Sequence, residues 1–121
     1  MKKILLTAIA FPVLVLSVTG CHTQKLAAAN DIPACIREKI KAAEADPQHA
    51  RIREVYRYTY NGATIYYTVT DHCNDCFNQV YTTNCTPLCS PDGGFSGRGD
   101  GQCKDFFTAS TGKALIWSKK P

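Results

Sequence analysis

Two hydrophobic periodicities organise the chain. Between Val55 and Val69, apolar and polar residues alternate in two runs, Val55-Tyr56-Arg57-Tyr58-Thr59-Tyr60 and Ala63-Thr64-Ile65-Tyr66-Tyr67-Thr68-Val69, parted by Asn61-Gly62. Asn-Gly between β-rich runs is a strong hairpin signal, because a type I′ turn needs positive φ at both central residues. A two-residue turn pairs Tyr60 with Ala63, Tyr58 with Ile65 and Tyr56 with Tyr67. Tyr56, Tyr58, Tyr60, Ala63, Ile65, Tyr67 and Val69 then share one face, and Val55, Arg57, Thr59, Thr64, Tyr66 and Thr68 the other. Upstream, Ile32, Ile36, Ile40 and Ala43 recur at helical spacing. Asn30 or Asp31 suits the cap, Pro33 the first turn and Pro47 the stop. The Tyr/Ile face is expected to pack on this helix. Arg57, opposite Tyr66, is expected to form a cation–π pair.

The remaining pattern is shorter. Gln79-Val80-Tyr81-Thr82 reads as a third strand and Ala114-Leu115-Ile116-Trp117 as a last one, with Trp117 in or beside the core. Ser90-Pro91-Asp92-Gly93-Gly94 is turn chemistry. Asp105-Phe106-Phe107-Thr108 reads as a helical turn or an edge. No segment repeats. The expected class is α+β: an N-terminal helix packed on a small antiparallel sheet, with a disulfide-rich loop region.

A different pattern opens the chain. Lys2-Lys3 precede an apolar run from Ile4 to Val18, closed by Val18-Thr19-Gly20-Cys21. The run is short for a membrane span, which needs ~20 apolar residues. Small residues before a cysteine at its end resemble a bacterial lipobox. Residues 1–20 are thus expected to be a lipoprotein signal peptide and Cys21 the lipidated first residue of the mature chain. Residues 21–31 form a tether, and residues 32–121 a single domain. The eight residues His22 to Ala29 reach at most about 28 Å when extended. His22, where Asp would mark inner-membrane retention by the enterobacterial sorting rule, favours the outer membrane. The expected location is therefore the bacterial cell envelope.

Charge changes little. Lys2 and Lys3 supply two of the four excess positive charges, so the mature balance falls from +4 to +2. No nucleic-acid footprint is visible. The cysteine count changes more. Seven are odd, but without Cys21 six remain: Cys35, Cys73, Cys76, Cys85, Cys89 and Cys103. A domain of this size commonly adds disulfides outside the cytoplasm. Three bridges are expected, among 15 pairings. Long closures remove more chain entropy than a Cys73–Cys76 ring, which favours Cys35 bonded to the Cys73/Cys76 region or to Cys103.

Other chemistry fits these residues less well than a structural role. Cys73-x-x-Cys76 with Cys85-x-x-x-Cys89 matches zinc-ligand pairs, but eight intervening residues are few for a ribbon. Cys73-x-x-Cys76 also resembles a redox pair, yet Phe77 to Tyr81 does not read as the helix that lowers the first thiol's pKa. The segment Asp92 to Gly101 alternates Gly and Asp, as a calcium loop can. It lacks the downstream Glu of an EF-hand and the tandem calcium repeat. Its plain reading is a tight loop held at its ends by Cys89 and Cys103, with Asp92, Phe95, Arg98 and Asp100 as candidate binding residues. Arg98-Gly99-Asp100 matches an integrin tripeptide that glycine-rich turns produce by chance. His72 lies beside Asp71 and Cys73 and reads as a surface histidine. No catalytic set, metal or cofactor is assigned.

Cys89-Ser90-Pro91-Asp92-Gly93-Gly94-Phe95-Ser96-Gly97-Arg98-Gly99-Asp100-Gly101-Gln102-Cys103, then Asp105-Phe106 and Leu115-Ile116-Trp117, resemble an uncharacterised family of small bacterial lipoproteins. That family is common among Bacteroidota and shares a domain of unknown function. The resemblance extends to Ala34-Cys35-Ile36 and the Tyr-rich hairpin, over residues 32–118. Relatives carry adjacent cysteines near residue 73, whereas Cys73 and Cys76 are separated here and Cys85 is additional. The resemblance implies the domain limits and lipoprotein status, and no activity. The expected function is a non-enzymatic binding or structural module, membrane-held through Cys21 and facing an envelope protein or glycan. The alternatives are a hydrolase inhibitor or defence factor, and a thiol oxidoreductase at Cys73/Cys76.

Overall fold

The computed structural model describes residues 31–121; the apolar run, Cys21 and nearly all of the tether lie outside them. The chain forms α1 (Ala34–Ala45), β1 (Ile52–Tyr60), β2 (Ala63–Thr70), β3 (Phe77–Thr82), β4 (Pro87–Gly93), α2 (Phe106–Ala109) and β5 (Thr111–Ser118). The five strands make one antiparallel sheet in the order β4-β3-β2-β1-β5. The class is α+β.

The hairpin forms in the expected register. Tyr60 pairs Ala63, Tyr58 pairs Ile65 and Tyr56 pairs Tyr67. Asn61 and Gly62 take φ of 49° and 77°. The helix, however, packs on the other face. Ile36 and Ala43 of α1 bury against Ala50, Ile52, Val55 and Tyr66, flanked by Ile32, Ile40, Tyr81, Ile116 and Trp117. A register shift between Ile52 and Glu54 turns Ile52 to the same side as Val55. The Tyr/Ile face is covered instead by the chain leaving β4. Tyr58, Tyr60, Ile65, Tyr67, Val69 and Val80 pack with Cys89, Cys103 and Phe106. Phe106 is fully buried, its ring 5.2 Å from Tyr58, 5.4 Å from Tyr60 and 5.7 Å from Tyr67.

The helix start also differs from expectation. Pro33 occupies the cap position, and its carbonyl accepts the N–H groups of Ile36 and Arg37. Asp31 uses its carbonyl to accept the Tyr66 hydroxyl at 2.9 Å rather than capping with its side chain. Tyr66 is thus buried and spoken for. The cations that sit over rings are Lys39 over Tyr81 and Lys113 over Tyr56, not Arg57 over Tyr66. Ser90 to Gly93 is strand rather than turn. A proline is tolerated there because β4 is an edge strand and no ladder bond on its outer side is lost. Trp117 leans on α1, its indole N–H donating to Glu44 at 3.0 Å.

The six cysteines pair as Cys35–Cys85, Cys73–Cys76 and Cys89–Cys103, with Cα atoms 5.4–6.0 Å apart. The expected partners of Cys35 are therefore wrong. Cys73 and Cys76 precede β3, whereas Cys85 lies in the turn after it, at the end of the sheet where α1 begins. Six residues of strand, roughly 20 Å, separate the two ends, so Cys35 reaches only Cys85. The pairing also distributes Cys73, Cys76, Cys85 and Cys89 among three bridges, which dissolves the four-thiolate zinc set.

Candidate functional site: a stapled glycine-aspartate loop

Gly93 to Gly101 leaves the end of β4 and folds back along it. Polar contacts hold the return. The Asp100 N–H donates to the Ser90 carbonyl, and the Ser90 N–H donates to Asp100 Oδ2, both at 2.9 Å. Asp100 Oδ1 accepts the Gln102 N–H at 2.9 Å. The Gly99 N–H reaches the Gly93 carbonyl at 3.1 Å, and the Gly94 N–H reaches the Cys76 carbonyl at 2.9 Å. Gly99 is forced: φ is +68°, and a Cβ there would lie 2.0 Å from the Ser90 carbonyl oxygen. Only glycine lets the two backbones approach so closely. Beneath, Gln79 Nε2 donates to the Cys89 carbonyl and the Ser90 hydroxyl donates to Gln79 Oε1. Cys89–Cys103 closes the base.

Asp92 is the second buttress. Its carboxylate accepts the Tyr67 hydroxyl at 2.8 and 2.9 Å. Burial, with the Asp92 hydrogen bond and charge added, pushes the Tyr67 hydroxyl far above the ordinary tyrosine range. A similar bond joins the Tyr60 hydroxyl to Asp105 at 2.8 Å, and it raises the Tyr60 pKa, with burial second.

The four sequence-derived loop residues thus divide. Asp92 is half-buried and Asp100 exposed, and both spend their oxygens within the fold, on Tyr67, Ser90 and Gln102. A calcium loop or an adhesion tripeptide would need those oxygens for its ligand, whereas here they accept from the Tyr67 hydroxyl and the Ser90 and Gln102 N–H groups. Among the described residues, no three His, Cys, Asp or Glu side chains converge as a metal set. Phe95 and Arg98 turn outward, and Phe95 is 99% exposed. Phe77, half-exposed, lies against Gly94 at the foot of the loop. No local pattern marks this contact, because it depends on the pairing of Phe77 with Gly93 across β3 and β4.

Elsewhere the surface offers less. A cleft of about 370 Å³ is lined by Ala43, Glu44, Pro47, Trp117, Ser118, Lys119 and Lys120. Two of its charged groups are already engaged: Glu44 accepts from Trp117, and Lys119 pairs with Asp71 and the Pro47 carbonyl. Lys119 holds the Asp71 carboxyl below the usual carboxylate range. His72 stands 3.3 Å from Lys119 Nζ, and both neighbouring cysteines are oxidised, so no Cys–His pair forms.

The architecture defines a small disulfide-stapled α+β domain that displays one rigid aromatic loop. Residues 41–119 match the family described as a domain of unknown function (DUF6970), and the chain belongs to that family. The match begins within α1, so Cys35 lies before it, while the loop and both of its cysteines lie inside it. No curated protein and no solved structure matches the chain.

Proposed function

We propose that this chain is a non-enzymatic binding module of the bacterial cell envelope, held to a membrane by lipid on Cys21, and that Phe95 is its anchor residue. The observation that carries the reading is Phe95 itself, 99% exposed at the tip of a loop whose backbone is fixed from both sides. Fully burying a phenylalanine is worth about 1.5–3 kcal/mol, and this fold forgoes that gain. Aromatic side chains are frequent binding hot spots. A loop that is already ordered surrenders little further entropy when a partner takes it. Arg98 adds a bidentate donor beside the ring. An envelope protein or glycan with an apolar pocket near an acidic or polar rim fits this tip.

The lipoprotein part rests on the apolar run and Val18-Thr19-Gly20-Cys21. An inhibitor of a hydrolase would use the same loop. Its reversals at Gly94, Gly97 and Gly99 differ from the extended segment that a protease cleft takes, which puts that reading second.

Two measurements test the proposal. Metabolic incorporation of an alkyne fatty acid should label the wild type and not Cys21→Ser; equal labelling removes the anchor. Crosslinking in intact cells should recover a partner with the wild type and lose it with Phe95→Ala, at unchanged thermal stability. The same partners at the same yield from both proteins would refute the role of Phe95.

A further inference from the structure

The three disulfides occupy different environments. Cys89 and Cys103 are 4% and 3% exposed and belong to the aromatic core. Cys35, in the first turn of α1, and Cys85 are half-buried, and the Cys35 N–H donates to Cys85 Sγ. Cys73 and Cys76 are half-buried as well, and they flank two exposed residues, Asn74 and Asp75. Exchange requires a thiolate to reach a sulfur, so access disfavours Cys89–Cys103, and ring size separates the other two. The sequence separations are 50, 3 and 14 for Cys35–Cys85, Cys73–Cys76 and Cys89–Cys103. The shortest ring restricts the unfolded chain least, so opening it endangers the fold least.

The same ring seats the loop. The Cys76 carbonyl accepts the Gly94 N–H at 2.9 Å. At Gly93 a Cβ would stand 2.6 Å from that carbonyl oxygen and 2.9 Å from the Asn78 nitrogen, so the two backbones are in direct contact. The Phe77 ring covers Gly94 from the next position. The Cys73–Cys76 bond therefore fixes the strand start against which the loop makes its first turn.

We propose that Cys73–Cys76 is a thiol–disulfide exchange site for an external dithiol, and that its redox state sets the mobility of the Phe95 loop. One thiolate of the dithiol attacks a sulfur of the pair. The S–S bond breaks, a mixed disulfide forms, and the displaced cysteine thiolate takes a proton from solvent. The dithiol's second thiolate then resolves the mixed disulfide. Cys73 and Cys76 end as two thiols, and the dithiol ends as a disulfide, having given up two electrons. With the ring open, the Cys76 carbonyl loses its fixed position and the Gly94 bond is released more often. The exchange step stands apart from the binding-module reading; only the use of loop mobility depends on it.

The test is a dithiothreitol titration of the full chain, with alkylation, peptide mass spectrometry and amide hydrogen exchange. Cys73 and Cys76 should become alkylated at dithiothreitol concentrations at least about tenfold below those that open the other two bridges. In that partly reduced protein, exchange at Gly94 should rise by about tenfold or more, with the Tyr58 and Ile65 amides unchanged. The double variant Cys73→Ser, Cys76→Ser should show the same Gly94 rise without reductant. Simultaneous opening of all three bridges, or opening of Cys89–Cys103 first, would overturn the exchange site. Unchanged Gly94 exchange after selective reduction would overturn the link to the loop. Neither failure touches partner recovery through Phe95.

Discussion

Gly97 and Gly99 offer a matched experiment on what holds the loop. They have nearly the same φ, +70° and +68°. An alanine at either position meets the left-handed penalty, about 1–2 kcal/mol. Their surroundings differ. Around Gly97 a new Cβ finds nothing within 4 Å. At Gly99 it lies 2.0 Å from the Ser90 oxygen, 2.6 Å from the Pro91 carbon and 2.7 Å from the Asp92 nitrogen, where ordinary contact begins at 3.4 Å. All three atoms are β4 backbone, so no side-chain rotation relieves the clash. The loop must lift from β4. It then loses the bond from the Asp100 N–H to Ser90 and the bond from the Ser90 N–H to the Asp100 carboxylate. A neutral bond contributes about 0.5–1.5 kcal/mol and one to a charged group about 1.5–3. Gly99→Ala should therefore cost the loop about 3–6.5 kcal/mol in all, against about 1–2 for Gly97→Ala.

Because Cys89–Cys103 keeps the loop ends together, much of this loss is local. The discriminating assay is hydrogen exchange at the Asp100 amide, with urea unfolding followed by Trp117 fluorescence alongside. Protection of Asp100 should fall by about a hundredfold or more in Gly99→Ala, since each 1.4 kcal/mol is tenfold, and by no more than about thirtyfold in Gly97→Ala. Partner recovery should fall in Gly99→Ala although Phe95 is untouched. Equal effects at the two glycines would refute the argument that backbone contact, rather than φ alone, orders the loop.

Phe106→Ala should cost about 3–5 kcal/mol in urea unfolding, the range for deleting a fully buried ring, whereas Phe95→Ala should stay within about 0.5 kcal/mol. Replacing Cys35 and Cys85 by serine should cost about 4 kcal/mol from chain entropy, between the values for 15- and 100-residue loops, and more than replacing Cys73 and Cys76; guanidinium unfolding of the two double variants checks the order. The raised pKa values of Tyr67, Tyr60, Tyr66 and Tyr56 give stability that is complete below the ordinary tyrosine pKa near 10 and lost as pH rises beyond it. Urea midpoints across that range should fall less steeply in Tyr67→Phe than in the wild type. Asp71, lowered by Lys119, contributes stability above its ordinary pKa of 3.8 that is lost as pH falls toward the folded value, so Asp71→Asn should remove part of the acid dependence.

Local rules reached some of this fold and stopped where tertiary pairing began. Asn61-Gly62 fixed the hairpin register, because turn chemistry and alternation agree there. The helix stripe was legible, since Ile36 and Ala43 bury as spaced. Which sheet face it covers was not. β2 is the central strand, and five consecutive residues, Ile65 to Val69, are buried, so both faces look suitable for a helix. The cover of the Tyr/Ile face is a loop and a four-residue helix, too short to have a periodicity. Cysteine pairing failed for a related reason. Entropy ranks loop closures, but strand ends decide which sulfurs meet. At the loop, the cysteine boundary was readable, as was the group Asp92, Phe95, Arg98 and Asp100. The engagement of the two carboxylates was not, because it depends on Tyr67 arriving from β2 and on the loop folding back onto Ser90.

Covering both faces of a five-stranded sheet with so few residues leaves two thin layers, and the disulfides follow that division. Cys35–Cys85 ties the helix layer to the β3–β4 turn, and Cys89–Cys103 ties the loop layer to β4. Within the loop layer the apolar work is concentrated in Phe106, which touches three tyrosines, while Asp92, Asp100 and Asp105 supply polar fixings. A staple, one buried ring and three carboxylates suffice to hold that layer down. Phe95 is thereby released from any part in folding. A small domain short of apolar burial gains stability from every ring it encloses, and the exclusion of Phe95 from both layers is the ground on which the binding role proposed for it rests.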